Sequence, residues 1–291
     1  MGCGSWTRAS IDAYTCSTRG VDSVTYAASS ATAQEVFRST SLHPDLNPRG
    51  VMRECLDTEE HPNTFPVILA LDVTGSMGAA AAKVAKSLGD IMDDLYSSKE
   101  VPDIEFCIMA IGDLYCDSAP IQMSQFESDV RIAEHLDKVY FERGGGGNMW
   151  ESYTSAWYMG SRHCKLDCWN RGKKGIIITL GDEQLNPILQ KDKLLAFVRD
   201  SEQADVDTPN IFKEASEKFS IYHISVDDAD SSYGWNNRKG EVDKSWKNVL
   251  GQNYYVSGID DLSKTITSII KSNYDGECAE ETVTSSDGIS W

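Results

Sequence analysis

Three continuous apolar runs constrain the fold of this 291-residue chain more than any other feature. They read PVILALD from Pro66, IEFCIMAIGD from Ile104 and GIIITLGDE from Gly175. Runs without regular polar alternation are typical of strands that are buried on both faces, as in parallel sheets. The stretches between the runs are long enough for helices. The sequence therefore predicts an α/β protein with right-handed crossovers.

Helical spacing is clearest after the first apolar run, where apolar residues recur at intervals of four, three and four: Val84, Leu88, Ile91 and Leu95. PIQMSQF from Pro120 alternates apolar and polar residues as an edge strand does. SIYHISV from Ser220 and QNYYVSG from Gln252 predict two further strands. The predicted fold class is a doubly wound, mostly parallel, Rossmann-like sheet with helices on both faces. Ligands of such sheets bind beyond the carboxyl ends of the strands.

The chain divides into a periodic body and two flanking segments. Residues 1–62 are rich in Ser, Thr, Ala and Arg without a sustained period, which predicts an irregular N-terminal extension. Residues 63–274 form the predicted domain, and residues 275–291 form a loose, acidic C-terminal tail.

Charge and hydropathy limit the classes of partner. The formal net charge of −18 argues against nucleic acid and anionic membranes, because their phosphates repel an acidic surface. No apolar run approaches the roughly 20 residues that span a bilayer. The stretch MGCGSWTRAS lacks the apolar core of a signal peptide, so reduced cysteines and a cytoplasmic location are expected.

The stretch LALDVTGSMG from Leu69 places hydroxyls, glycines and one carboxylate directly after the first apolar run. A hydrolase elbow requires G-x-S-x-G, but Thr74 stands where the first glycine belongs. His223, a candidate base, falls on a predicted strand rather than in a loop after one. Neither glycine-rich phosphate-binding signature is present. A metal site fits the stretch better than a nucleophile or a phosphate cradle does.

Alternate residues of this loop offer oxygen ligands: Asp72, Thr74 and Ser76. Asp182, after the third apolar run, adds a second carboxylate that would converge on them if the two strands are neighbours. Hard cations such as Mg²⁺ prefer oxygen ligands of this kind. Helix capping by Asp72 and Ser76, with Asp182 closing a turn, remains the simpler alternative.

The combination resembles a von Willebrand factor A (vWA) domain with a metal-ion-dependent adhesion site. That family has strand order 3-2-1-4-5-6 with one antiparallel edge strand, and a D-x-S-x-S loop that Asp72, Thr74 and Ser76 match with Thr for the first Ser. Asp182 matches the third motif, as LGDE rather than the commoner TDG. GGGGNMWES is similar to the GGGDxPE loop of bacterial members, which puts Asn148 at the middle ligand position and Glu151 nearby. The chain also resembles uncharacterised bacterial and bacteriophage vWA proteins.

The resemblance implies a non-catalytic interaction module that binds Mg²⁺, or Mn²⁺ or Ca²⁺, and through it a Glu or Asp carboxylate of a protein partner. Intracellular bacterial members suggest an AAA+ ATPase of the MoxR kind as that partner. Bacteriophage members suggest virion assembly or host interaction instead, in the host cytoplasm or the virion. A metal-dependent hydrolase or phosphoryl-transfer enzyme on the same fold is the alternative from another class.

Overall fold

A six-stranded sheet forms the centre of the computed structural model, which describes residues 4–97, 101, 103–142, 150–227 and 235–281. The three apolar runs form its first, second and fourth strands, as predicted. In chain order the strands are β1 (Phe65–Asp72), β2 (Ile104–Ile111), β3 (Ile121–Met123), β4 (Gly175–Gly181), β5 (Phe219–Asp227) and β6 (Tyr254–Gly258).

Along the sheet the strands follow the order β3-β2-β1-β4-β5-β6. Neighbouring strands pair in parallel, except that β3 runs antiparallel to β2 at the edge. The predicted order 3-2-1-4-5-6 with one antiparallel edge strand is therefore confirmed. Successive strands are added outward from β1 on one side of the sheet and from β4 on the other. The point at which the strand order reverses, the topological switch point, therefore lies between these two strands.

Successive side chains of β1 enter two different cores. Val67 and Leu69 belong to the first, whereas Ile68 and Ala70 belong to the second. This separation follows from the two-residue period of a strand, and it explains why a sheet covered on both faces has continuous apolar strands. Helices cover both faces, as predicted.

Seven helices of the described chain cover the first core and four cover the second. The first group is α1 (Arg8–Arg19), α2 (Ser23–Ala27), α3 (Ala33–Val36), α4 (Gly78–Lys86), α5 (Leu88–Ser97), α6 (Arg131–Asp137) and α11 (Leu262–Glu281). The second group is α7 (Thr154–Arg162), α8 (Lys191–Phe197), α9 (Thr208–Lys218) and α10 (Trp235–Leu250).

In the part of the chain that the structure describes, three pairs of short strands lie outside the central sheet. Arg53–Cys55 pairs in parallel with Cys164–Leu166, and Ile188–Leu189 pairs antiparallel with Val206–Asp207. Trp150–Glu151 pairs in parallel with Gln184–Leu185. The last pair matters for the site, because it fixes Glu151 beside the loop that follows β4.

The N-terminal extension is not irregular, and that prediction was wrong. It contains α1, α2 and α3, and α1 begins at an N-cap, Thr7, whose side chain accepts a hydrogen bond from the Ser10 amide. Only Ile11 and Thr15 of α1 are buried, so its apolar stripe is too narrow to show a helical period. The extension nevertheless packs onto the domain, since Trp6 and Phe37 belong to the first core.

The last helix continues beyond the boundary predicted at residue 274. α11 has 20 residues and runs to Glu281, while residues 282–291 of the predicted tail lie outside the described residues. None of the helices in the described ranges combines the length and the apolar character that crossing a bilayer requires.

Candidate functional site

The loop that follows β1 carries three of the predicted metal ligands. β1 ends at Asp72, and a single turn of 3₁₀ helix spans Gly75–Met77 before α4 begins. Asp72 and Thr74 are buried, whereas Ser76 is exposed. The loop therefore places one hydroxyl at the surface and a carboxylate beneath it.

Hydrogen bonds hold the buried part of this loop together. The amide and the hydroxyl of Thr74 both donate to Oδ1 of Asp72, over 2.9 and 2.6 Å. Helix capping, the simpler alternative for Asp72 and Ser76, does not occur, because the N-cap of α4 is Met77 and no side chain caps it. The polar groups of the loop are directed at one another and at the end of the sheet.

Asp182 joins the site from the neighbouring strand. It follows β4 directly and is only 4% exposed. The hydroxyl of Ser76 donates to its Oδ1 over 3.0 Å. Because β1 and β4 are paired neighbours, the structure brings together the four predicted residues that it describes: Asp72, Thr74, Ser76 and Asp182.

The buried carboxylates of the site repel one another. Burial, and then the negative charge of Asp182, raise the pKa of Asp72 to about 7. Hydrogen bonds from Thr74 act in the opposite direction but do not compensate. A buried carboxylate beside another carboxylate is stabilised when a cation binds between them, because the cation favours the ionised form.

Glu151, which the sequence places near the middle ligand position, lies beside the loop that follows β4. Asn148 lies in the segment 143–149, which is outside the described residues. Glu151 is buried, and its Oε2 atom has no hydrogen-bond partner. Burial raises the pKa of Glu151, and the carboxylate of Asp72 raises it further. Asp113 and Asp117, which follow β2, act in the same direction.

The described donors fit a hard divalent cation. They are two carboxylates and two hydroxyls, an oxygen-only set of the kind that Mg²⁺, Mn²⁺ and Ca²⁺ accept. The Oε2 atom of Glu151 is a further buried oxygen without a hydrogen-bond partner, and the carboxylate of Asp72 is among the groups that raise the pKa of this residue. Within the described ranges no three His, Cys, Asp or Glu side chains are grouped so that they could hold an ion by themselves.

The structure gives no support to His223 as a base for Ser76. His223 is fully buried on β5, where its ring stacks on Trp246 at a centroid distance of 3.5 Å. Its Nδ1 lies 2.8 Å from the hydroxyl of Thr179, and burial lowers its pKa well below the usual value. These contacts are those of a neutral histidine in an aromatic core.

Sequence reasoning missed one residue that contacts the site directly. The phenol of Tyr153 donates to Oδ2 of Asp72 over 2.7 Å, and it accepts a hydrogen bond from the Glu183 amide over 3.3 Å. No local spacing reveals these contacts, since 81 residues separate Tyr153 from Asp72. The one sequence signal is Gly181, the residue directly before Asp182, where a side chain would meet the ring of Tyr153.

Comparisons with known proteins identify the class of fold but no close relative. No protein-family model matches the chain, and no curated protein is significantly similar to it. Among solved structures the chain is similar to the pilus adhesin SpaC from Lactobacillus rhamnosus GG, with a TM-score of 0.52 and 11% sequence identity. The similarity covers 78% of this chain but only 31% of that adhesin. The chain thus spans about a third of the length of that protein.

Two further solved structures are similar at lower scores. BatB from Bacteroides thetaiotaomicron has a TM-score of 0.44 and 11% identity, over 74% of this chain and 99% of BatB. The SpRpn10 VWA domain has a TM-score of 0.38 and 9% identity, over 67% of this chain and 87% of that domain. At such identities the likeness concerns the fold alone. The strand order by itself defines a doubly wound α/β fold.

Proposed function

We propose that this chain is a metal-ion-dependent protein-interaction module of the vWA kind. The observation that carries the proposal is the hydrogen bond between Ser76 and Asp182, which joins the loops after β1 and β4. In the same loops Thr74 is bonded to Asp72, so two hydroxyls and two carboxylates meet at the switch point. Switch points are where doubly wound sheets bind their ligands.

The roles of the residues follow from their chemistry. The hydroxyls of Thr74 and Ser76 would hold Mg²⁺, or Mn²⁺ or Ca²⁺, directly, and Asp72 and Asp182 would do so directly or through water. Asn148 is proposed as a further ligand of the cation. A bound cation would supply a Lewis-acidic position for a Glu or Asp carboxylate of the partner protein. Because hydroxyl ligands are neutral, they leave more of the ion's charge for that carboxylate.

The partner is a separate part of the proposal. An AAA+ ATPase of the MoxR kind is one candidate, and a bacteriophage virion component or host protein is another. The fold is shared with SpaC, a pilus adhesin, but a shared fold does not identify a partner.

An enzyme is the alternative from another class. Metal-dependent hydrolysis or phosphoryl transfer needs a base or nucleophile beside the ion. The one histidine on the neighbouring strand, His223, is fully buried in the aromatic core. This observation favours binding over catalysis.

Capture of partners by the immobilised chain tests the proposal. Proteins retained in Mg²⁺ should be released by EDTA, and they should not be retained by the Ser76→Ala variant. Retention that is the same in EDTA and in Mg²⁺ would contradict metal-dependent binding. Phosphatase or nuclease turnover that disappears in Asp72→Ala would instead support the enzyme.

A further inference from the structure

Tyr153 stands at the N-cap of α7 in the deepest part of the site. The residue is fully buried, and its ring makes edge-on contacts with His223 and Trp246, each at a centroid distance of 5.3 Å. These contacts fix the ring, because an aromatic side chain in a close-packed core has few alternative rotamers. The direction of the phenol is therefore determined by the core.

The phenol connects the two loops that carry the carboxylates. It donates to Oδ2 of Asp72 at the end of β1, and the amide of Glu183 donates to it from the loop after β4. Trp246 also holds this loop, since its Nε1 donates to the Glu183 carbonyl over 3.0 Å. Asp72 and the backbone next to Asp182 are thus joined through a single oxygen atom.

Gly181 is required by this arrangement. A Cβ atom at position 181 would lie 2.0 Å from the phenol oxygen and 2.4 Å from two ring carbons of Tyr153. Real Cβ atoms do not approach other atoms so closely, and the neighbouring ring cannot move within the packed core. The glycine of the LGDE sequence therefore leaves the space that the buried ring of Tyr153 occupies.

We propose that Tyr153 is a positioning residue of the metal site, which fixes Asp72 relative to Asp182 so that both carboxylates face one cation. The inference rests on the proposed function of these carboxylates as metal ligands. Thr74 occupies Oδ1 of Asp72 and Tyr153 occupies Oδ2, so the carboxylate has one defined orientation. Groups that orient metal ligands through hydrogen bonds contribute strongly to affinity, although they do not touch the ion.

Tyr158 provides a matched control on the same helix. It is also fully buried, and its phenol donates to Asp200 over 2.6 Å and to Glu202 over 2.8 Å. Tyr158→Phe and Tyr153→Phe each remove one buried phenol that is bonded to a carboxylate. Only Tyr153→Phe removes a bond to the proposed site.

The test is a calorimetric titration of Mg²⁺ into the full chain and both variants, with unfolding curves recorded in EDTA. Tyr153→Phe should weaken Mg²⁺ binding about 10- to 100-fold, the usual effect of losing such a partner. Tyr158→Phe should keep the wild-type affinity within about twofold, because distant sites act independently. The unfolding curves show whether each variant folds, and a loss of affinity in a folded Tyr153→Phe cannot be attributed to unfolding.

Three results would overturn the inference, and they differ in what they imply for the proposed function. If wild type binds Mg²⁺ and Tyr153→Phe binds it equally well, Tyr153 is structural and the proposed function stands. Equal weakening by both variants leads to the same conclusion. If wild type does not bind Mg²⁺, the proposed function fails and the inference fails with it.

Discussion

The hydroxyl of Ser76 donates a hydrogen bond to Oδ1 of Asp182 over 3.0 Å, although 106 residues separate the two along the chain. Ser76 is exposed and Asp182 is buried, so this contact connects the surface of the site with its interior. A variant of Ser76 can therefore separate the effect on metal binding from the effect on folding, because an exposed hydroxyl contributes little to the stability of the fold.

Ser76→Ala should weaken Mg²⁺ binding by more than about tenfold, the loss that even outer-shell partners cause. The free energy of unfolding in EDTA should change by only about 1 kcal/mol, the usual net value of one hydrogen bond. Calorimetry and urea denaturation measure the two quantities. Ser10→Ala is the control, because it removes a hydroxyl bond to the Thr7 carbonyl in α1, outside the site. Equal affinities in the two variants would exclude Ser76 as a ligand.

Gly181→Ala should destabilise the chain by about 1–3 kcal/mol or more, since the added methyl group meets the phenol of Tyr153 in a packed core. Gly258→Ala, at the end of β6, is the matched control. A Cβ atom there meets nothing within 4 Å, and the backbone φ of −68° suits any residue. Thermal unfolding in EDTA compares the two variants. Similar midpoints for both would show that Tyr153 is not held against Gly181.

The contribution of Asp72 to the stability of the metal-free chain should fall as the pH rises. The folded state holds a proton on Asp72, whose pKa burial and Asp182 raise to about 7, whereas an unfolded Asp releases it at about 3.9. The folded state therefore binds more protons than the unfolded state between these values, and stability decreases through that window. Urea denaturation in EDTA near pH 5 and near pH 8, on wild type and on a variant of Asp72 that cannot ionise, measures this contribution.

Asp72→Asn, which cannot ionise, isolates the contribution of this carboxyl. The variant should show a shallower fall in stability between about pH 4 and pH 7 than wild type does. A fall of the same size in both proteins would mean that Asp72 does not carry the raised pKa.

The sequence predicts the sheet well because burial on both faces leaves a clear pattern. β1, β2 and β4 are continuous apolar runs for this reason, and the strand order follows from the resemblance to the vWA family. α1 was missed because only Ile11 and Thr15 of its residues are buried. A helix that packs on the surface of a domain with its own core buries few apolar side chains. Its sequence therefore shows little helical periodicity.

The site was predictable where its residues belong to short motifs. Asp72, Thr74 and Ser76 share one loop, and Asp182 follows a strand, so strand ends and family resemblance locate them. Tyr153 belongs to no motif, because its place depends on the packing of α7 against the sheet. Glu151, whose Oε2 atom has no hydrogen-bond partner, is likewise brought close to Asp113 and Asp117 only by tertiary structure.

Calorimetric titration of Mg²⁺ into wild type and Asp72→Ala tests the metal site most directly. Asp192→Ala is the control, since Asp192 is an exposed carboxylate on α8. Unfolding curves in EDTA establish that each variant is folded before binding is compared. Wild type and Asp192→Ala should bind Mg²⁺ with the same affinity, and Asp72→Ala should not bind it. Equal binding by wild type and Asp72→Ala, or no binding by wild type, would contradict the metal-dependent function.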